Sequence, residues 1–181
     1  LAIVLIHGFG ASKDHWRFNQ RTISSIASCY ALDLVGFGES SQPKSQLSYE
    51  KKQPDNFNYC FDKWSKQIID FCNQIVQKPV ILIGNSIGGV IALNAAQGLL
   101  QGCSGVVLID CAQRTMDDKR LAEQSLLMRL IRPLIKTCVR QRILSKTLFR
   151  NAANPNVIEK ILKIAYPSGN NINKELIDIL F

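Results

Sequence analysis

Histidine is nearly absent. The 181 residues hold two, His7 and His15, both close to the N-terminus. The six cysteines (Cys29, Cys60, Cys72, Cys103, Cys111 and Cys138) include no C-x-x-C pair. With so few histidines beside them, no metal site is expected. Glycine (11) and proline (6) are too few, and apolar residues (46%) too many, for a collagen-like, low-complexity or disordered chain. No apolar run approaches the roughly 18 residues of a membrane span. The opening run Leu1–Ile6 is short and has no basic leader, so no signal peptide is expected. The chain does not start with Met and reads as a piece of something longer.

What remains suits one soluble domain with a sizeable core. Most of the cysteines lie in apolar stretches, where a free thiol packs as a small core residue. Reduced thiols are expected, and with them a reducing compartment such as the cytoplasm or a plastid-stroma-like space. A disulfide-stapled secreted domain is the weaker reading at this length. The formal charge of +8 is uneven. Residues 113–150 carry ten Lys/Arg against three Asp/Glu, and the rest of the chain carries twelve against eleven.

Periodicity divides the chain near residue 112. Before it, apolar runs alternate with amphipathic stretches. Strands are expected over 1–6, 29–35, 79–84 and 105–110. Helices are expected over 14–27, over 59–77 and from the end of the third strand to about Leu100. The 59–77 helix is read with Phe61, Trp64, Ile68, Cys72 and Ile75 on one stripe. Residues 40–57, with Pro43, Pro54 and Lys51-Lys52, read as a loop. Continuous apolar strands separated by helices imply an α/β fold with a doubly wound, mostly parallel sheet buried on both faces. The C-terminal strand ends then share one edge, where ligands of such sheets bind. Residues 113–181 read as helical, with no further strand. Leu127, Leu130, Ile131, Leu134 and Ile135 form an apolar face, and Arg129, Arg132, Lys136 and Arg140 a basic one. Short helices are expected around 156–165 and 173–181.

The chemistry concentrates at that edge. Ile83-Gly84-Asn85-Ser86-Ile87-Gly88-Gly89 has the G-x-S-x-G form between a strand and a helix. In so tight a turn, side chains two residues either side of the serine would collide, and Gly84 and Gly88 remove them. Ser86 is a candidate nucleophile at a helix N-terminus. The backbone N–H of Ile87 points to where a tetrahedral oxyanion would form.

With His7-Gly8-Phe9-Gly10 after the first strand and Asp33-x-x-Gly36-Phe37-Gly38-x-Ser40 after the second, the sequence resembles an α/β-hydrolase over residues 1 to about 112. The string His7–Ser12 with His15-Trp16-Arg17 and Asp33–Gly38 looks closest to pheophytinase-like hydrolases of plastids and cyanobacteria. The resemblance implies a second oxyanion N–H from Phe9. It gives His7, Gly8 and Asp33 structural roles at the site, and makes 113–181 a helical cap. It also implies a late histidine and acid after the closing strands. These strands are missing here, so the hydrolase fold is read as truncated. The catalytic histidine and acid are expected beyond Phe181, and the fragment is expected to be inactive and poorly soluble, with a sheet edge exposed. Asp110 is an alternative acid, since some relatives carry theirs after the corresponding strand.

The function expected from the resemblance is hydrolysis of a hydrophobic carboxylic ester through a serine acyl-enzyme, with no cofactor. Serine at position 86 disfavours epoxide hydrolysis and dehalogenation, which use Asp there in this fold. C–C bond hydrolysis, cofactor-free haloperoxidase activity and acyl transfer remain open, as does a non-catalytic ligand receptor. The basic cap face could rest on an anionic membrane or be an ordinary solvated surface. Nucleic acid is not an expected partner, because aromatics are not interleaved with the basic residues. Oligomeric state is left open.

Overall fold

The apolar runs form four parallel strands, β1 (Ala2–Ile6), β2 (Ser28–Leu32), β3 (Val80–Asn85) and β4 (Cys103–Ile109), in the order β2-β1-β3-β4. The description rests on a computed structural model and covers residues 1–47, 50–111, 154–165 and 172–180. The expected helices and basic stripe within 113–150 lie outside the described residues, as does Cys138. The chain divides into two compact units, Leu1–Ala112 and Gln113–Phe181.

In the first unit, β1 sits at the centre. Ala2 to Ile6 pair in step with Ser28 to Leu32 on one side and with Val80 to Gly84 on the other. Four of its five residues are fully buried, as a central parallel strand requires. β4 pairs with β3 up to Asn85 and Ile109 and forms one edge of the described sheet, with Val107, Leu108 and Ile109 each more than 40% exposed.

Side chains alternate along β1, so Val4 and Ile6 share one face and Leu5 points the other way. The Val4 and Ile6 face, with Val80 and Leu82, builds a core with α2 (Phe61–Phe71) and α3 (Ile87–Leu99). Trp64 and Ile68 come from α2, and Ile91, Ala92 and Ala95 from α3. The two helices also touch each other, where Ser65 Oγ donates to the Ile91 carbonyl at 3.3 Å.

Two elements depart from the sequence expectation. The helix expected over 14–27 is a 3-10 turn, Lys13–Trp16, followed by a short α1, Arg17–Ile23. The Ser24 and Ser25 hydroxyls bond the carbonyls of Gln20 and Thr22, at 2.6 and 2.7 Å, and compete with the helix as it ends. The helix expected over 59–77 holds α-geometry only to Phe71, and Cys72–Val76 is a π-turn. Gln77, at φ +50°, closes it by donating to the Cys72 carbonyl at 2.8 Å. The wider turn changes the inward phase: Val76 is 3% exposed and Ile75 62%.

The second unit shows α4 (Pro155–Ala165) and α5 (Lys174–Leu180), close to the expected bounds. The two helices contact each other, and Leu162 and Leu176 are buried. Asn154 and Asn173 cap them through side-chain oxygens that accept from the N–H groups of Asn156 (3.0 Å) and Leu176 (2.8 Å). No helix among the described residues is long and apolar enough to cross a membrane.

The phase at the π-turn is open to test. Val76→Ala should destabilise the fold by about 1–3 kcal/mol, and Ile75→Ala by under about 0.5 kcal/mol, in urea unfolding. The reverse order would refute the assignment.

Candidate active site

β3 ends at Asn85, the chain turns at Ser86, and α3 begins at Ile87. Ser86 takes φ +54° and ψ −121°, a conformation that a residue with a side chain rarely adopts. Its N–H donates to the Ile109 carbonyl at 2.9 Å, which ties the turn to the end of β4. A Cβ at Gly84 would overlap the backbone of Gly88. A Cβ at Gly88 would overlap the carbonyl of Ile6 and stand 2.6 Å from that of His7. Both positions are closed to any side chain. A Cβ placed on Gly8 would stand 3.2 Å from Cβ of Ser86, so the loop after β1 lies directly against the serine.

That loop is held by its own histidine. His7 is fully buried, and both ring nitrogens are committed. Nδ1 donates to the Gly8 carbonyl at 2.7 Å, and Nε2 accepts the N–H of Leu34 at 3.0 Å. Since an amide N–H can only donate, Nε2 carries no proton and the ring is the neutral Nδ1–H tautomer. Burial lowers the pKa of His7 and outweighs the opposing pull of the Gly8 carbonyl and of Asp33.

Phe9 follows, 75% exposed, with its ring edge-on to Phe37 at 5.5 Å between centroids. Among the described residues, the N–H groups of Phe9 and Ile87 have no acceptor. Ile87 is the first residue of α3, where helical N–H groups have no internal partner.

Asp33 organises the loop after β2. Its carboxylate accepts the N–H of Lys13 (2.6 Å), the N–H of Glu39 (2.9 Å) and the ammonium of Lys13 (3.2 Å). Burial pushes its pKa up, but the two backbone N–H groups and Lys13 together hold it below the ordinary value. Lys13 is pushed up to about 12, first by its bond to Glu39. Asp33 thus joins Lys13 to the segment after β2, and His7 joins the loop at Gly8 to the same segment at Leu34.

Sequence reasoning missed Gln67. From α2 its amide accepts the N–H of Val35 and donates to the Asp33 carbonyl, both at 3.0 Å. Trp64, three residues earlier and on the expected helical stripe, also donates its indole N–H to the Val35 carbonyl at 2.9 Å. The three-residue spacing of Trp64 and Gln67 on one helical face was the available signal.

Asp110 follows the Ile109 carbonyl that holds Ser86. It is exposed, at φ +43°. Cys111 lies against the first turn of α3, its Sγ 2.8 Å from where a Cβ on Gly89 would stand. His15 packs edge-on to Trp16, and its Nδ1 is buried with no hydrogen-bond partner, so Ser86 does not donate to that nitrogen. Burial, then Arg17, lowers the pKa of His15. Gly8, Gly84, Ser86, Ile87 and Gly88 therefore meet at one place, with His7 behind them, while Asp33 and Asp110 stand at the ends of β2 and β4. Among the described residues no group of three or more His, Cys, Asp or Glu gathers as a metal site.

A family model described as alpha/beta hydrolase fold matches residues 2–133. The 1-acylglycerol-3-phosphate O-acyltransferase ABHD5 of Rattus norvegicus is 33% identical over 90 residues, which is 50% of this chain and 23% of that protein. The (lyso)-N-acylphosphatidylethanolamine lipase of Mus musculus is 27% identical over 108 residues, 60% of this chain and 29% of that protein. The matched stretch thus spans about a quarter of these curated relatives. Among solved structures, a meta-cleavage product hydrolase from Pseudomonas fluorescens is similar at TM-score 0.52 and 28% identity, over 64% of this chain and 40% of that one.

The charge states of His7 and Asp33 set how stability depends on pH. The unfolded chain protonates His7 below its ordinary value of about 6.5, while the folded ring stays neutral, so stability falls as pH drops through that value. His15 acts in the same sense. Asp33 contributes fully above its unfolded value of about 3.9, and that contribution is lost as pH falls further. Urea unfolding across pH should show both limbs, and Asp33→Asn should make the lower one shallower. A flat profile between about pH 7 and 5 would contradict a buried, neutral His7.

Proposed function

The chain belongs to the α/β-hydrolase fold family, and from that premise we propose that it is a serine hydrolase acting on a hydrophobic carboxylic ester. In this reading Ser86 Oγ attacks the acyl carbonyl and gives its proton to a histidine base. The carbonyl oxygen becomes an oxyanion held by the N–H groups of Phe9 and Ile87. Collapse of the tetrahedral intermediate expels the alcohol, which takes the proton from the base. Water then cleaves the acyl-enzyme by the same steps. One observation carries the proposal: Ser86 at positive φ on the tip between β3 and α3, with Gly8 against it and, among the described residues, no acceptor for the N–H groups of Phe9 and Ile87.

His7 cannot serve as the base, because both its nitrogens are bonded elsewhere. His15 Nδ1 takes no hydrogen bond from Ser86 either, so neither histidine of residues 1–181 is assigned as the base. Asp110, one residue beyond the carbonyl that anchors Ser86, is the alternative acid to orient it.

The two relatives, a 1-acylglycerol-3-phosphate acyltransferase and a (lyso)-N-acylphosphatidylethanolamine lipase, are both named for acyl chemistry on glycerolipids. They support a lipophilic acyl group and leave open whether water or a second alcohol takes it. A second reading, C–C bond hydrolysis, draws on the likeness to the meta-cleavage product hydrolase. Aryl esters of increasing acyl length, tested against dienoate ketones on the full-length protein, separate the two. Ester turnover should exceed ketone turnover, and Ser86→Ala should lower kcat/KM by about three orders of magnitude or more. Unchanged function in Ser86→Ala would instead mark a ligand receptor.

A further inference from the structure

Between β2 and α2, residues 43–47 pair back against residues 50–58. Ser45 and Phe57 form a parallel bridge. The Phe57 N–H donates to the Lys44 carbonyl, and the Gln46 N–H to the Phe57 carbonyl, both at 2.8 Å. The Gln46 side chain ties the interior together. Its Oε1 accepts from the Gln53 N–H (3.1 Å) and Asn56 Nδ2 (3.4 Å), and its Nε2 donates to the carbonyls of Leu47 (3.0 Å) and Glu50 (3.2 Å). Gln46, Leu47, residues 52–58 and the first turn of α2 border an open cleft of about 590 Å³, within the size range of small-molecule sites.

The lining is chemically one-sided. Lys52 and Lys63 bring two positive charges to the lining, Gln53 and Asn58 bring amide-bearing residues, and Leu47 and Phe57 bring apolar ones. Among the described residues no carboxylate lines the cleft and neither lysine forms an ion pair. Lysine acts as a point charge with three donors and suits a tetrahedral anion that accepts from several directions. A planar carboxylate is better met by the arginine fork.

We propose that this cleft is a second binding site, separate from Ser86, for a phosphate-bearing ligand with an apolar portion. The two lysines neutralise the phosphate, the amides orient it, and Leu47 and Phe57 cover the apolar part. The inference does not depend on the reaction at Ser86.

The phosphate could belong to a small soluble molecule or to a lipid headgroup, and two measurements on the full-length protein separate them. One titrates 1-naphthyl phosphate by calorimetry, with inorganic phosphate as competitor. The other measures co-sedimentation with phosphatidylcholine vesicles, with and without phosphatidic acid. Saturable binding is expected in at least one: binding of naphthyl phosphate alone identifies a soluble ligand, and binding that needs phosphatidic acid identifies a headgroup. In either case Lys52→Gln/Lys63→Gln should weaken binding by about tenfold or more, while Lys78→Gln, at an exposed lysine away from the cleft, should leave it unchanged. Equal binding by wild type and double variant, or no binding in either measurement, overturns the proposal. An unchanged thermal midpoint in the double variant confirms that folding is intact.

Discussion

The site depends on one backbone contact. Gly88, in the first turn of α3, lies against the carbonyls of Ile6 and His7 at the end of β1, closer than any side chain would permit. The in-step pairing of Ile6 with Gly84 sets up that contact by ending β1 and β3 at the same level. The same closeness forces the turn at Ser86 into positive φ and lays Gly8 against the serine. Strain of about 1–3 kcal/mol at such a residue persists only where surrounding structure over-determines it. Here the central strand β1, the Ile109 carbonyl and the buried face of α3 do so together.

Around that contact, polar groups do structural work that apolar packing cannot. The loop after β1 and the loop after β2 contain irregular backbone whose donors and acceptors need partners. His7 bonds both loops because burial keeps it neutral, with one nitrogen donating and the other accepting. Asp33 bonds both because its carboxylate stays charged among N–H donors. Gln67 and Trp64 then fasten the second loop to α2. A histidine and an aspartate near a candidate nucleophile invite a catalytic reading, but here their bonds hold the loop geometry.

Much of this was legible in the residues. Apolar runs bounded by glycine and polar turns located all four strands, and the G-x-S-x-G spacing located the turn. The sequence was less informative where side chains compete with the backbone or where helical phase shifts. Ser24 and Ser25 end a helix that apolar periodicity would continue. Ile75 fits a regular 3.6-residue stripe, yet the π-turn buries Val76 in its stead. Gln67 reads as a solvated helix position until the loop it bonds is in place. For Ser86, Phe9 and Ile87 the sequence supplied an arrangement, and the fold supplied the closeness of Gly8 to the serine.

We propose that the turn presents Ser86 as the nucleophile of the full-length protein. Treatment of the full-length protein with a fluorophosphonate, followed by peptide mass mapping, tests it most directly. The account predicts a single stoichiometric adduct on Ser86 that is absent from Ser86→Ala. A folded full-length protein that forms no adduct, or forms one on another residue, would contradict it.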